Sequence, residues 1–232
     1  MATGLTVVGY LWVLLSVLAA GAASVALFIP HWLEGSIELN GDTAPTSFGS
    51  FRRCTYPQYQ TPSQQLTLVH KCGRYKTFSD IPSLWWQVTS CTMAAGAAIS
   101  VLVAFVALPA CVCRDIVSRT SGRLLGMLQV FAAICICVGC ILYPLGWDAR
   151  EVKEACGRKS APYILGDCRI GWTFFMVLTS ALLLVLCAAL STCSGNPVEW
   201  RKVPTNHNSH ARHHHLDHTD EQLNNPLKTA HL

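Results

Sequence analysis

The sequence predicts a mainly α membrane protein: a four-helix transmembrane bundle with a small extracellular antiparallel β-sheet. Three observations carry that reading. First, 51% of the 232 residues are apolar and only 13% are charged, about half the charge density of a soluble domain. Second, the charges are bunched, leaving uncharged stretches at 5–29, 84–113, 124–145 and 171–195. Each has at least the roughly 20 residues that cross about 30 Å of hydrocarbon as a helix, and an open strand there would leave its amides and carbonyls without partners. Third, the long loops 30–83 and 146–170 hold Cys54, Cys72, Cys156 and Cys168, which an oxidising compartment would pair.

The first stretch, 5–29, contains Ala20-Gly21-Ala22-Ala23-Ser24, which looks like a signal-peptidase site. No Lys or Arg precedes it, and its apolar run exceeds the 7–15 residues of a signal core, so it is expected to be retained. Pro30 ends the span, and Trp32 is expected at the outer interface as an aromatic anchor. In the loop that follows, Phe48 to Cys54 and Leu66 to Cys72 have strand character and flank a turn-rich segment with Pro57, Pro62 and Ser63. The simplest assembly is an antiparallel pair stapled by Cys54–Cys72. Such a bridge is worth about 3 kcal/mol in the chain-entropy model, and a small sheet with little core needs one.

The second stretch opens on Trp85-Trp86 and holds Ala94-Ala95-Gly96-Ala97-Ala98, then Ser100. Small residues of this kind, like Gly122 and Gly126 at the start of the third stretch, let helices approach closely. Pro109 is expected to kink the second span near its inner end. The connecting loop 114–123 sets Arg114, Arg119 and Arg123 against Asp115, which favours the cytosol. Lys and Arg over the whole chain do not fix the orientation, with ten in the outer loops and seven in the inner segments; the loop cysteines carry that assignment. Gln129 is the one amide inside the third span and is expected to hydrogen-bond to a neighbouring helix. No Asp, Glu, Lys, Arg or His lies within any of the four stretches, which argues against ion-coupled transport.

The second loop has Trp147 and Trp172 at its two ends, read as interface anchors, a Cys156–Cys168 pair, and Pro162 to Leu165 as a further strand. Four spans put both termini in the cytosol. Residues 1–195 form the tetraspan domain. The tail 196–232 turns polar and Pro-rich and is expected to be disordered. His210, His213, His214, His215 and His218 in it are a weak candidate for metal capture, a solvated tail being the plainer reading. Cys111, Cys113 and Cys193 sit at inner span ends, where palmitoylation fits as well as an inert buried thiol does.

Several motifs occur in order at consistent spacing. They are Phe48-Gly49-Ser50-Phe51-Arg52-Arg53-Cys54, Cys72-Gly73-Arg74-Tyr75, Arg119 with Gly122-Arg123, Tyr143-Pro144-Leu145-Gly146-Trp147-Asp148, and Leu165-Gly166-Asp167-Cys168-Arg169-Ile170-Gly171-Trp172. Together they resemble the signature of the LHFPL (lipoma HMGIC fusion partner-like) tetraspan family, nearest the branch of the lipoma fusion partner itself, over about residues 4 to 195. That family is grouped with the claudins and the peripheral and epithelial myelin-type tetraspans. Their shared Trp, Gly-x-aromatic and cysteine pair correspond to Trp32, Gly49, Phe51, Cys54 and Cys72. Claudins usually carry Trp after Gly-Leu where this chain has Phe51 after Gly49-Ser50, which weakens the analogy to tight-junction strands. The resemblance implies a left-handed bundle, a sheet built from both loops, and an auxiliary role beside channels or receptors of the plasma membrane.

The function expected is therefore non-enzymatic: an auxiliary or scaffolding subunit that contacts membrane lipid and an integral membrane protein. Self-association is left open, and neither a cofactor nor a nucleic acid is implied. The alternative is claudin-like adhesion or barrier formation. A remoter one is a membrane thiol oxidoreductase using Cys137 and Cys140, a C-x-x-C in the third span. Against it, a reactive thiolate needs an electropositive, accessible setting, and Ile, Val and Leu surround this pair.

Overall fold

Four long helices follow from the four uncharged stretches. The computed structural model describes residues 7–39, 41–60, 65–111 and 119–194. Within them run α1 (Val7–Phe28), α2 (Leu84–Ala107), α3 (Arg119–Leu142), the short loop helix α4 (Arg150–Cys156) and α5 (Trp172–Ser194). The long helices have 22 to 24 residues, or roughly 33–36 Å at 1.5 Å per residue, enough to span a bilayer. All four contain windows apolar enough to do so.

The packing is that of a protein whose solvent is lipid. Large side chains such as Leu14, Leu18, Phe105, Phe131 and Leu182 face outward, while Ala19, Ala23, Ala97, Ala132 and Ala133 are buried. Helix contact here comes from close backbone approach, not from expelling large apolar groups. At Gly96 an added Cβ would stand 2.7 Å from Ile136 and 2.9 Å from the Ala132 carbonyl, so α2 and α3 touch along a bare backbone. Gly126 similarly presses on Ser191 of α5. Gln129 is fully buried. Its carbonyl accepts from the Trp12 indole at 3.0 Å and its amide donates to Ser16 Oγ at 2.7 Å, tying α3 to α1. The amide is thus satisfied between helices, as its isolation in an apolar run predicts.

The second span is shorter than its uncharged run. The α-helix stops at Ala107 and a 3-10 turn, Leu108–Cys111, takes over. Pro109 accounts for this, since it has no N–H to donate to the carbonyl one turn back, even though Leu108 before it keeps α geometry.

Five strands cap one end of the bundle: β1 (Leu33–Leu39), β2 (Asp42–Phe48), β3 (Arg52–Gln60), β4 (Gln65–Arg74) and β5 (Arg169–Ile170). They form a single antiparallel sheet in the order β4-β3-β2-β1-β5. Two expectations are corrected here. The stretch from Phe48 to Cys54 is not one strand: Phe48 ends β2, Gly49 N–H donates to the Arg52 carbonyl at 2.8 Å across the reversal, and Arg52 to Cys54 open β3, which pairs with β4 so that Cys54 faces Cys72 as expected. The first loop holds a whole additional hairpin, β1–β2. The second loop joins the sheet through β5, while Pro162 and Tyr163 lie in a tight turn closed by an isolated bridge between Ala161 and Ile164.

Candidate functional site at the cap

The cap stands on an aromatic seat. Trp32 and Trp86 are fully buried, with Tyr143 and Trp147 nearly so. Tyr143 stacks on Trp86 at 5.1 Å and meets Trp32 edge-on at 5.0 Å, with Phe174 and Trp147 packed around it. Three of these rings have their polar edges paired: Trp32 donates to the Ala26 carbonyl at 2.7 Å, Trp86 to the Tyr143 carbonyl at 3.1 Å, and the Tyr143 hydroxyl to the Phe48 carbonyl at 3.4 Å, while the buried Trp147 indole N–H has no partner among the described residues. One seat therefore joins the end of α1, the start of α2, the end of α3 and the turn out of β2.

Trp32 and Trp147 are thus not lipid-interface anchors. The boundary they mark in sequence separates bundle from cap, and both sides of that boundary are protein, so the indoles are buried between them. Trp172 does face outward, 54% exposed, as does Trp85. Small residues let the seat close. A Cβ on Gly146 would collide with the Trp86 indole, one on Gly171 with the His31 carbonyl, and one on Gly49 would stand 3.0 Å from Pro30. Phe51 packs edge-on to Phe28 at 6.0 Å. Asp148 lies at the rim, paired with Lys153.

Two disulfides stiffen the cap. Cys54 and Cys72 are directly opposite on β3 and β4 and are bonded; Cys156, the last residue of α4, is bonded to Cys168 just before β5. A polar clasp joins the two loops. Arg53 contacts Glu151 at 2.5 Å, the Tyr75 hydroxyl donates to the same carboxylate at 3.0 Å, and the guanidinium lies over the rings of Tyr56 and Tyr75 at 4.4 and 4.7 Å. Burial, and next the Glu151 charge, push the Tyr75 phenol well above its ordinary range, against an opposing pull from Arg53. Across β1 and β5, Arg169 pairs with Glu34 at 2.9 Å.

Between its hairpins the sheet is split. β2 and β3 are in register only at Ser47–Cys54 and Phe48–Arg53. Beyond that Thr46 Oγ1 donates at 2.9 Å to the carbonyls of Cys54 and Thr55, and Thr55 adopts φ +52° at an irregularity in the β3–β4 ladder. Two cavities of about 530 and 370 Å³ open here, and Thr46 and Thr55 line both. The larger also touches Glu34, Asp167 and Arg169; the smaller touches Tyr56, Arg150 and Glu151. This cleft was not foreseen, because it follows from where two hairpins diverge and not from any residue motif.

The other candidate residues fall away from the cap. Cys137 is exposed on α3 and Cys140 is buried, both as free thiols. Cys111 is half-buried at the end of its 3-10 turn, and Cys193 stands in the last turn of α5. Cys113 and the histidine tract with His210, His213, His214, His215 and His218 lie outside the described residues. Among the described residues no His, Cys, Asp and Glu group is arranged to hold a metal.

Four apolar helices under a disulfide-stapled antiparallel sheet define a tetraspan membrane protein. A family model described as lipoma HMGIC fusion partner-like protein matches residues 8–195, so the chain belongs to the LHFPL tetraspan family. It is 31% identical over 194 residues to LHFPL tetraspan subfamily member 2a protein of Danio rerio, and 30% identical to the member 2 protein of Homo sapiens. Each match covers 78% of this chain and 84% of the relative. The member 4 protein of Homo sapiens is 27% identical, over 82% of this chain and 72% of its own.

Proposed function

We propose that this chain is a non-enzymatic auxiliary or scaffolding subunit of a larger plasma-membrane assembly, with its cap outside the cell and both termini in the cytosol. The observation that carries the reading is the split sheet. Strands β2 and β3 diverge over the cavities around Thr46 and Thr55, opening a groove of a kind that can receive an extended segment of a partner. The cap around that cleft is rigid, held by two disulfides, the Arg53–Glu151–Tyr75 clasp and the aromatic seat. A preformed surface of this kind favours binding, because little ordering is left to be done on contact. The two disulfides support the outside location, since such bonds persist in oxidising compartments.

The test is site-specific photo-crosslinking from position 55 in cells, followed by mild-detergent purification. Adducts to a different integral membrane protein are expected, and Thr46→Arg, which fills the cleft, should abolish them. Adducts that persist in Thr46→Arg, or none at all from position 55, would overturn the reading. Adhesion between cells remains the second reading, favoured by the outer edge of β4, which pairs with β3 on one side only and can template a strand from another copy. In that case the adducts would join copies of this chain, and transfected cells would cluster.

A further inference from the structure

Three cations gather where the cap meets the ends of α1 and α2. Arg52 and Arg74 are direct cross-strand partners at the base of the β3–β4 hairpin, so their side chains leave the sheet on the same face. Lys76 follows two residues on, exposed like Arg74, with Tyr75 buried between them. Like charges directly opposite in a sheet repel and weaken it. Elsewhere in the cap Arg53, Arg150, Lys153 and Arg169 each have a carboxylate partner. Among the described residues no carboxylate within ion-pair distance serves Arg52, Arg74 or Lys76. Arg52 donates instead to the carbonyl of Phe28, the last residue of α1, at 3.1 Å. The nearby acid, Asp80, is turned to the Thr77 amide at 2.9 Å.

The surroundings of this cluster are apolar and outward-facing. A cavity of about 300 Å³ is lined by Arg74 and Lys76 together with Phe51, Phe78 and Ile81. Phe28, Leu84 and Trp85, on the ends of two spans where a bilayer's interfacial zone begins, are between 44% and 68% exposed, as is Phe78 in the 3-10 turn ahead of α2. Aromatic and basic side chains at that depth meet head groups, not bulk water or hydrocarbon.

We propose that Arg52, Arg74 and Lys76 seat the phosphate of a membrane glycerophospholipid, whose acyl chains run down the exposed ends of α1 and α2. A guanidinium pair offers forked donors to phosphate oxygens, and an anion between Arg52 and Arg74 converts their repulsion into two attractions. Phe51 and Phe78 cover the glycerol side. The site is separate from the cleft at Thr46 and Thr55 and does not depend on what the cleft binds.

Native mass spectrometry of the full chain released from detergent micelles tests this with four probes: phosphatidylglycerol, phosphatidylcholine, diacylglycerol and inorganic phosphate. Retention should fall in that order of lipids, phosphate being common to the first two, and inorganic phosphate should bind far more weakly than either. Arg74→Glu with Lys76→Glu should lower phosphatidylglycerol retention by at least about tenfold, and Arg74→Lys should restore most of it beside native Lys76. Equal retention of diacylglycerol and phospholipid would overturn the proposal, as would a double variant that binds like the parent. Inorganic phosphate binding as tightly as the lipid would also overturn it, leaving a free-anion site. If the double variant lacks the Cys54–Cys72 bond on a non-reducing gel, Lys76→Gln alone is compared with the parent, and an unchanged retention counts against the site.

Discussion

Tyr75 shows how one side chain can link pH to the integrity of the cap. It is 7% exposed and donates to Glu151, and its phenol is raised far above the ordinary range, first by burial and then by that carboxylate. The neutral form is the stable one in the fold. Below about pH 10 both folded and unfolded chains keep the proton, so the contribution of Tyr75 is fully present. Above about pH 10 the unfolded chain releases it and the folded chain does not, so stability falls as pH rises. Tyr75→Phe should cost about 1 kcal/mol at neutral pH through the lost hydrogen bond, and this deficit should shrink between pH 9 and 11 in thermal melts in detergent. A deficit that stays constant across that range would contradict the buried neutral phenol. Gln129 offers a second test at this scale. Gln129→Leu keeps the bulk but leaves the Trp12 indole without its acceptor, and should lower stability by about 1 kcal/mol, read as a fall in melting temperature; Gln129→Glu, buried with a charge, should lose more.

Among the elements, the legible ones were those whose signal is long. The four spans announce themselves because a run of some 20 uncharged residues has few other uses, and the β3–β4 staple follows from two cysteines flanking a turn-rich segment. The β1–β2 hairpin was less visible. Leu33, Ile37 and Leu39 alternate with polar residues, and Asn40-Gly41 leads into Asp42, which is a hairpin signal, with Gly41 at φ +88°. Pro45 inside β2 hides it, since proline in a run argues against a strand. Here its register partner is Ser36 and its other edge faces the split where no ladder forms. Helix α4 has seven residues, too few to be stable alone, and β5 has two; both exist because the seat and the Cys156–Cys168 bond hold them. The staples can be tested at this scale. Cys54→Ala with Cys72→Ala should cost the hairpin about 3 kcal/mol while sparing the bundle. Amide exchange should rise across β3 and β4, with helical circular dichroism unchanged; a loss of helix would mean that the cap organises the spans.

For the molecule as a whole, the cysteines and the basic residues give different weight to orientation, and the fold accounts for part of the difference. Four of the ten loop cations are engaged in the cap itself: Arg53, Arg150, Lys153 and Arg169 are in ion pairs. A cation neutralised within a folded domain is a poor guide to which loop stays inside, because the positive-inside rule reflects free charge near the span ends. The sheet order makes the two long loops one structure, since β5 of the second pairs with β1 of the first. They must therefore share a side, and an even number of spans returns the chain to where it began. Cys54→Ser frees the Cys72 thiol on exposed β4. In intact cells it should react with a membrane-impermeant maleimide, whereas a cysteine placed near residue 220 should react only after permeabilisation. Labelling of position 72 only after permeabilisation would put the cap in the cytosol, where its two disulfides would be exposed to glutathione and the partner-binding face would have to be sought on the other end of the bundle.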